Sequence, residues 1–519
     1  MPRIKTPSFV AEFPLQTTAS DEVALDTRLN AARNLYNACQ QEALRRLDLM
    51  KQSKAWQAAR AMPKTCGGKP NKERSRAFRA VAEQFGFTSR EIEKHALACR
   101  NACWIGDHMG SHDTQTISLR AFRAVEQYCY GVRGRPRFKA FKRLHSVEGK
   151  ADAVIRYRKE PIPAVYWSGL VLPLMLDPKD KRGWQTDALD TRTKYVRVIR
   201  RNIRGRNRWF CQLVQEGLAP AIHETQQGVV GLDIGPSVIA AVATADAILE
   251  QFCPKVVEPW QDIRRIQRAM DRSRRATNPD NFDARGRCKK GAKKWNRSHR
   301  YQVLAGKRRE RDRQLAAERK RSHGELANRI LAEGTTIKTE KLSYKSFQKN
   351  FGRSVKVRAP GMLVSTLQRK AASAGGGMVE IKTRHTRLSQ FDHTTGEYIK
   401  KPLSLRVHVF GDGVTQPVQR DLYSAFLATC CDTDSLDVPT VVSTWASAEP
   451  HLRTAMSRAL QPASGKGFAR THVLCVGAGR RIKRAGPSTE AEDAVAPAQA
   501  DQARASKRSC SASLRTPRL

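Results

Sequence analysis

Across 519 residues, 94 Lys and Arg stand against 49 Asp and Glu, a formal net charge of +45, while 40% of the chain is apolar. A chain of this length can bury several cores, but such a charge excess opposes compaction unless a polyanion covers much of the surface. Short ribosomal or histone-like proteins are excluded by the length and the mixed strand and helix patterns, which favour an enzyme acting on nucleic acid. The sequence has no run of 18 apolar residues and no charged-then-apolar leader. Neither secretion nor membrane insertion is expected, and the chain reads as cytoplasmic and nucleoid-associated. Its twelve cysteines are scattered, with no C-x-x-C, the pattern of reduced thiols.

Residues 5 to 16 read as extended. After Ser20-Asp21 a helix is predicted, because Leu25, Leu29, Ala32, Tyr36, Cys39, Ala43 and Leu47 recur every three or four residues, and helical patterns continue to about residue 130. The stretch GVRGRPRFKAFKRLHS from residue 131 then interleaves Arg133, Arg135, Arg137, Lys139, Lys142 and Arg143 with Phe138 and Phe141. That mixture suits phosphate contacts combined with base stacking, the alternative being a solvated loop. Strands are predicted over 153–157, 165–176, 195–203 and 208–214, with Arg204-Gly205-Arg206-Asn207 as a hairpin turn between the last two. Since the N-terminus is also extended, residues 21 to 130 are predicted to be inserted into a β-barrel whose first strand is N-terminal.

In VVGLDIGPSVIAAV (229–242) two apolar runs flank Gly235-Pro236-Ser237, predicting a tight, buried hairpin with Val229, Gly231 and Asp233 on one side of its first strand. A lone carboxylate in such a place needs a partner or a proton. Residues 258 to 333 carry 23 Lys and Arg against ten Asp and Glu in two helical arms. A solvated helix face mixes signs more evenly, so the arms read as a nucleic-acid track, with Lys293, Lys294 and Arg297 as contacts in the looser break between them. Strands are expected at 335–342, carrying Glu340 near its end, and at 378–383. A helix is expected at RDLYSAFLATC, opened by Asp421, and beyond residue 461 a disordered tail.

Taken singly, Asp421 reads as a helix cap and Glu340 as an ordinary strand-end acid. Together with Asp233 they form a set of three carboxylates, 107 and 81 residues apart, in a strongly basic chain. Gathered carboxylates repel, and hard divalent cations relieve that repulsion. Two Mg²⁺ ions in such a site activate a water and stabilise the leaving oxygen of a phosphodiester. Spacing alone does not bring the three together.

GLDIGPSVIAA, then KTEKLSY, then QRDLYSAFLA, with the basic helical pair between the first two and GRPRFKAFKRLHS upstream, resembles the TnpB family. These are RNA-guided endonucleases encoded by IS200/IS605-type transposons and related to Cas12 effectors. The resemblance spans residues 1 to about 432. It implies an α/β RNase H-like (RuvC-like) nuclease domain, a wedge barrel interrupted by a helical recognition lobe, a guide RNA from the transposon locus, and double-stranded DNA as target. It further implies cutting with Mg²⁺ (or Mn²⁺) held by Asp233, Glu340 and Asp421 as the catalytic acids. The corresponding layout is a wedge over 1–20 and 150–225, a lobe over 21–149, a nuclease domain over 226–384 and 414–460, a ribbon-like insert over 385–413, and the tail.

The insert departs from the family. Where zinc-binding cysteines are usual, this chain has Asp392, Thr395, Phe410 and Asp412, although Gly396 and Gly413 keep the turn positions. His393 and His408 with two aspartates make a poor zinc site, so zinc is not expected. Instead Phe391, Val407, Val409 and Phe410 are predicted to form an apolar plug. Ser424 also replaces the usual Asn. Three functions are therefore weighed: an RNA-guided endonuclease, a non-cleaving RNA-guided DNA-binding protein, and a guide-independent transposase.

Overall fold

The computed structural model describes residues 6–150, 153–180, 182–221, 223–291, 293–402 and 405–460; the tail expected from 461 lies outside them. Strand β1 (Ser8–Pro14) leads into the long helix α1 (Ala19–Gln52). The hydroxyl of Thr18 accepts from the Asp21 backbone N–H while the Asp21 carboxylate accepts from that of Thr18, a reciprocal cap that fixes where the helix begins. α2 (Lys54–Ala61), a minimal hairpin β2 (Thr65–Cys66) and β3 (Lys69–Pro70), α3 (Lys72–Gln84), α4 (Ser89–Asn101) and α5 (Ser111–Cys129) complete the helical part.

An irregular strap, residues 130–145, then enters β4 (Ser146–Lys150), β5 (Ile155–Arg158), β6 (Ala164–Trp167), β7 (Leu170–Pro173), α6 (Trp184–Asp190), β8 (Thr193–Ile203) and β9 (Arg206–Glu216). These strands form two antiparallel sheets, of order β1-β9-β8-β4 and β5-β6-β7. The N-terminal strand thus lies beside β9, across helices α1 to α6 in sequence. Two expectations are corrected. The lobe boundary at 149 cuts through β4, which pairs with β8, so the sheet begins at Ser146. The single strand over 165–176 is a hairpin, because Ser168 and Gly169 take left-handed backbone conformations (φ +44° and +86°). The turn after β8 follows the sequence reading: Arg204 and Gly205 both have positive φ, which matches the twist of the strands they join.

The remainder is built on a sheet of order β12-β11-β10-β13-β14, comprising β10 (Val229–Ile234), β11 (Val238–Val242), β12 (Ala247–Gln251), β13 (Thr336–Glu340) and β14 (Gly377–Ile381). β10, β11 and β12 are antiparallel neighbours, whereas β10, β13 and β14 run parallel. The antiparallel helices α7 (Val257–Thr277) and α8 (His299–Glu333) fill the crossover from β12 to β13; α9 (Tyr344–Arg358) and α10 (Pro360–Ser373) fill the next. The short α11 (Thr383–Thr386) and the two-residue strands β15 (Val407–His408) and β16 (Val418–Gln419) bracket the insert before α12 (Arg420–Thr429) and α13 (Val438–Leu460).

Strand alternation divides the core. Val230, Leu232 and Ile234 face α8 and α10, packing on Leu326, Ile330, Leu363 and Leu367. Ala240, Val242 and Leu249 pack with Leu422, Phe426 and Trp445 of α12 and α13. Asp233 lies on the α12 side. Among the described residues, no helix is long and apolar enough to cross a membrane.

Candidate active site and nucleic-acid interface

The parallel pairing of β10 with β13 runs from Val229 opposite Thr336 to Leu232 opposite Thr339. Asp233 and Glu340 are the next residue on each strand, so they lie side by side at the C-terminal ends of adjacent strands about 4.8 Å apart, Glu340 as the last residue of β13 and Asp233 as the last but one of β10. Paired residues share a face, which aligns Gly231 with Lys338 and, one step of the pleat further on, Asp233 with Glu340.

Helix α12 crosses this face at closest approach over Gly231. A Cβ there would lie 2.0 Å from the Ala425 carbonyl oxygen and 2.9 Å from the Thr429 nitrogen. The Lys338 ammonium donates to the carbonyls of Thr429 (3.1 Å) and Cys431 (2.6 Å), tying down the helix C-terminus. Asp421, Ala425 and Thr429 recur every four residues and share a helix face. With Ala425 and Thr429 over Gly231, Asp421 lies one turn away, about 6 Å along the axis, near the strand ends.

The three acids therefore share one neighbourhood, and Asp233 registers it. Burial, then the carboxylates of Asp421 and Glu340, push its pKa well above the usual aspartate range, while Arg420 and Arg406 oppose the rise. Burial likewise pushes Glu340 up. Among the described residues no hydrogen bond or ion pair reaches the Asp233 carboxylate. Asp421, in contrast, accepts from the Gln419 side-chain amide (3.1 Å), with the guanidinium groups of Arg406 and Arg420 at 3.8 and 3.9 Å. Gln419 also caps the helix by accepting from the Leu422 N–H at 2.8 Å.

In donor chemistry the set fits a hard divalent cation, since it offers only carboxylate oxygens. As the side chains stand, however, no three His, Cys, Asp or Glu among the described residues are close enough to hold one ion. The backbone gathers the acids, but Asp421 is turned toward Gln419 and the arginines. Sequence reasoning missed Gln419 and Arg406; the only signal was a polar residue immediately before the helix.

No family model matches the sequence, and no curated protein does. Among solved structures the chain is similar to a Cas12f1 seen by cryo-EM with single-guide RNA and target DNA, at 11% identity and a TM-score of 0.40, covering 82% of this chain and 98% of that one. It is also similar to a CRISPR-Cas12f ternary complex, at 12% identity and a TM-score of 0.26, covering 82% and 100%. Backbones that superpose this loosely carry no argument about function, which has to come from the residues.

The insert packs against the helix that bears Asp421. The Asp392 carboxylate, 1% exposed, accepts from the Thr394 N–H (3.0 Å) and hydroxyl (2.8 Å) and from the Gly411 N–H (2.9 Å), joining its two turns. Gly396 and Gly413 take the left-handed conformations those turns require (φ +73° and +68°). The Tyr423 hydroxyl on α12 accepts from the His393 N–H at 3.1 Å. Phe391 and Phe410 are buried beside Tyr423 and Trp445. Val409, expected in this plug, is 56% exposed, because it follows the buried His408 in an extended segment and so faces outward. His408 lies beside the Lys401 ammonium (2.7 Å to Nδ1), and burial followed by that charge lowers its pKa to about 4. Asp412, another expected position, is exposed and caps the Val414 and Thr415 N–H groups.

The strap is anchored along α1. Asn37 donates to the Lys139 carbonyl (3.0 Å) and accepts from its N–H (2.8 Å), and Gln40 donates to the Pro136 carbonyl (3.2 Å). Arg133, Arg135, Arg137, Lys142 and Arg143 are left exposed and Lys139 half-buried. Phe138 and Phe141 stand 56% and 63% exposed between these cations; Arg33 and Lys142 lie over the Phe141 ring at 5.9 and 5.5 Å, and the Phe138 ring is the one offered for stacking. Arg135 pairs with Asp48 at 3.3 Å. Burial, then Arg120 and Arg133, lower the pKa of Lys139, the mark of crowded positive charge.

Lys293, Lys294 and Arg297 sit on a separate element, the loop joining α7 to α8. That loop is pinned through Asn278, which exchanges hydrogen bonds of 2.9 and 2.7 Å with the Asn296 backbone, and through Asn281, which donates to the Lys294 carbonyl at 2.8 Å. Lys294 and Arg297 are exposed and Lys293 half-buried.

Proposed function

We propose that this chain is an RNA-guided DNA endonuclease of the TnpB type, with Asp233, Glu340 and Asp421 as its catalytic, Mg²⁺-binding acids on an RNase H-like, RuvC-type domain. One observation carries the reading: Asp233 and Glu340 lie side by side near the C-terminal ends of adjacent parallel strands beneath the first turn of α12, and the carboxylates of Asp421 and Glu340 raise the proton affinity of Asp233. The sheet order, with three antiparallel strands followed by two parallel ones, agrees with an RNase H-like domain. The antiparallel strands on either side of α1–α5 agree with a wedge interrupted by a recognition lobe.

Bound Mg²⁺ would supply an activated water and charge stabilisation at the leaving oxygen. The chain's own residues do the rest. Asp233 and Glu340, fixed by the strand pair, define the floor of the site, and Asp421 turns from Gln419 toward them. Arg406 and Arg420 take up positions beside a scissile phosphate. Guide RNA and DNA contacts fall to Arg133, Arg135, Arg137, Lys139, Lys142 and Arg143 of the strap and to Lys293, Lys294 and Arg297 of the loop, as positive charge tracking phosphates.

The test is plasmid cleavage with RNA from the chain's own locus. Wild type is expected to cut in Mg²⁺, and Asp233→Ala is expected to fall to background while retaining its RNA; wild-type cutting by that variant refutes the assignment. A second reading, a non-cleaving RNA-guided DNA-binding protein, is favoured by the unconverged acids. It predicts that wild type binds matched DNA without cutting it.

A further inference from the structure

Away from the acids, α7 and α9 border an open pocket of 560 Å³ lined by Trp260, Gln261, Arg264, Arg265, Arg268 and Arg353. Four guanidinium groups face this space, and among the described residues no carboxylate lines it. On the neighbouring helix α8, by contrast, Arg313 pairs with Glu310, and Arg321 with Glu318 and Glu325. Among the described residues only Arg265 of the four has an acidic partner, Asp262 at 3.5 Å, which also serves Arg311. Arg264 reaches a glutamine, and no carboxylate pairs with Arg268 or Arg353 among the described residues. Clustered positive charge without internal relief is a site for an anion.

Two further features narrow the ligand. Trp260, Arg264 and Arg268 recur every four residues and share one face of α7, so an indole stands in line with the guanidinium groups. The Lys356 ammonium lies 5.0 Å from the indole ring centre. An aromatic plane among phosphate-binding cations suits nucleic acid whose bases are out of the duplex stack. The pocket is also coupled to the strand that carries Asp233. On α9 the Ser354 hydroxyl, next to Arg353, donates to the Pro236 carbonyl at 2.6 Å, in the turn that follows β10. Arg358 reinforces the joint, donating to the Phe252 carbonyl and to Ser354 at 3.1 Å each.

We infer that this pocket holds a phosphodiester of the single-stranded DNA being cut, with the adjoining base against Trp260, and so feeds that strand toward Asp233. The inference rests on the endonuclease reading and adds a strand-loading site to it. A guide RNA held along the strap would have no need of a pocket fastened to the turn after Asp233.

The experiment uses the full chain carrying Asp233→Asn, so that DNA is bound without being consumed, and a fluorescein-labelled single-stranded DNA oligonucleotide titrated over a range of salt. Adding Arg264→Gln, Arg268→Gln and Arg353→Gln is expected to weaken DNA binding at least about tenfold at low salt. It should also reduce the slope of log affinity against log salt by about 0.7, as expected for one lost single-strand phosphate contact. Lysine at the three positions should restore the slope, Trp260→Ala should weaken binding without changing it, and guide RNA affinity should match the parent. An unchanged slope, a loss falling on RNA instead, or no DNA binding by the parent overturns the inference. With Asp233 restored, undiminished cutting by the glutamine variant refutes the pocket alone. Arginine-dependent DNA binding in a wild type that cuts nothing refutes the nuclease alone.

Discussion

Asp392 and Asp233 are both recessed aspartates, and their surroundings treat them in opposite ways. Burial raises the pKa of Asp392, but hydrogen bonds from Thr394 and Gly411, with His408 nearby, outweigh it and hold the group below the usual range. Asp233 receives no such donors; burial and two neighbouring carboxylates drive it upward. The insert holds its two turns together with a self-sufficient carboxylate hub, whereas the sheet keeps a carboxylate whose charge requires something from outside the chain. A buried acid supplied with backbone donors is architecture, and one surrounded by acids is a candidate for cation chemistry.

The comparison breaks most sharply at Gly231. Since an added Cβ would meet the backbone of α12 at 2.0 Å, Gly231→Ala must lift the helix that carries Asp421. A loss of about 4 kcal/mol or more in chemical denaturation is expected, together with loss of cutting. A variant of native stability that still cuts would show that α12 need not lie against β10.

Asp392→Ala comes next, at about 3 kcal/mol, because it leaves buried N–H groups without an acceptor. Added Zn²⁺ should not restore the loss; rescue by zinc would mean that the insert is a metal site after all. Asp233→Asn should move stability the other way, raising Tm by a few degrees in EDTA, at roughly 2–4 °C per kcal/mol for a domain of this size.

The same pair differs in pH dependence. A depressed carboxylate contributes stability above its unfolded pKa and loses it as pH falls through the folded value, so the Asp392 contribution disappears in acid, below the ordinary aspartate range. A raised carboxylate does the reverse: the Asp233 penalty is absent below the ordinary range and grows as pH rises toward its folded pKa. Thermal scans should therefore draw closer to wild type in acid and part from it as pH rises, Asp392→Ala falling below wild type and Asp233→Asn rising above it. Parallel curves would contradict the assignment of the two environments.

Much of this was legible in the residues. The Arg204-Gly205 turn, the hairpin at 235–237 and the two basic arms announce themselves through glycine placement and charge, which are local properties. Other features depend on distant partners. β12 is only five residues long and is defined by its pairing with β11. β4 belongs to a sheet because β8 lies beside it, not because SVEGK reads as a strand. The position of Asp233 inside an apolar run was enough to mark it, but only the register of β10 against β13 and the contact of Gly231 with α12 bring the three acids to one place. The hold of Gln419 and Arg406 on Asp421 could not be read from spacing at all, since it arises where the end of the insert folds back onto the helix start.

The central claim is that Asp233, Glu340 and Asp421 together bind a divalent cation. Crystals of the protein soaked in Mn²⁺ test it directly through anomalous scattering. The account predicts a peak bonded to the Asp233 carboxylate and to those of Glu340 and Asp421, with Asp421 released from Gln419. A fully occupied Mn²⁺ elsewhere, with no peak at Asp233, would contradict it.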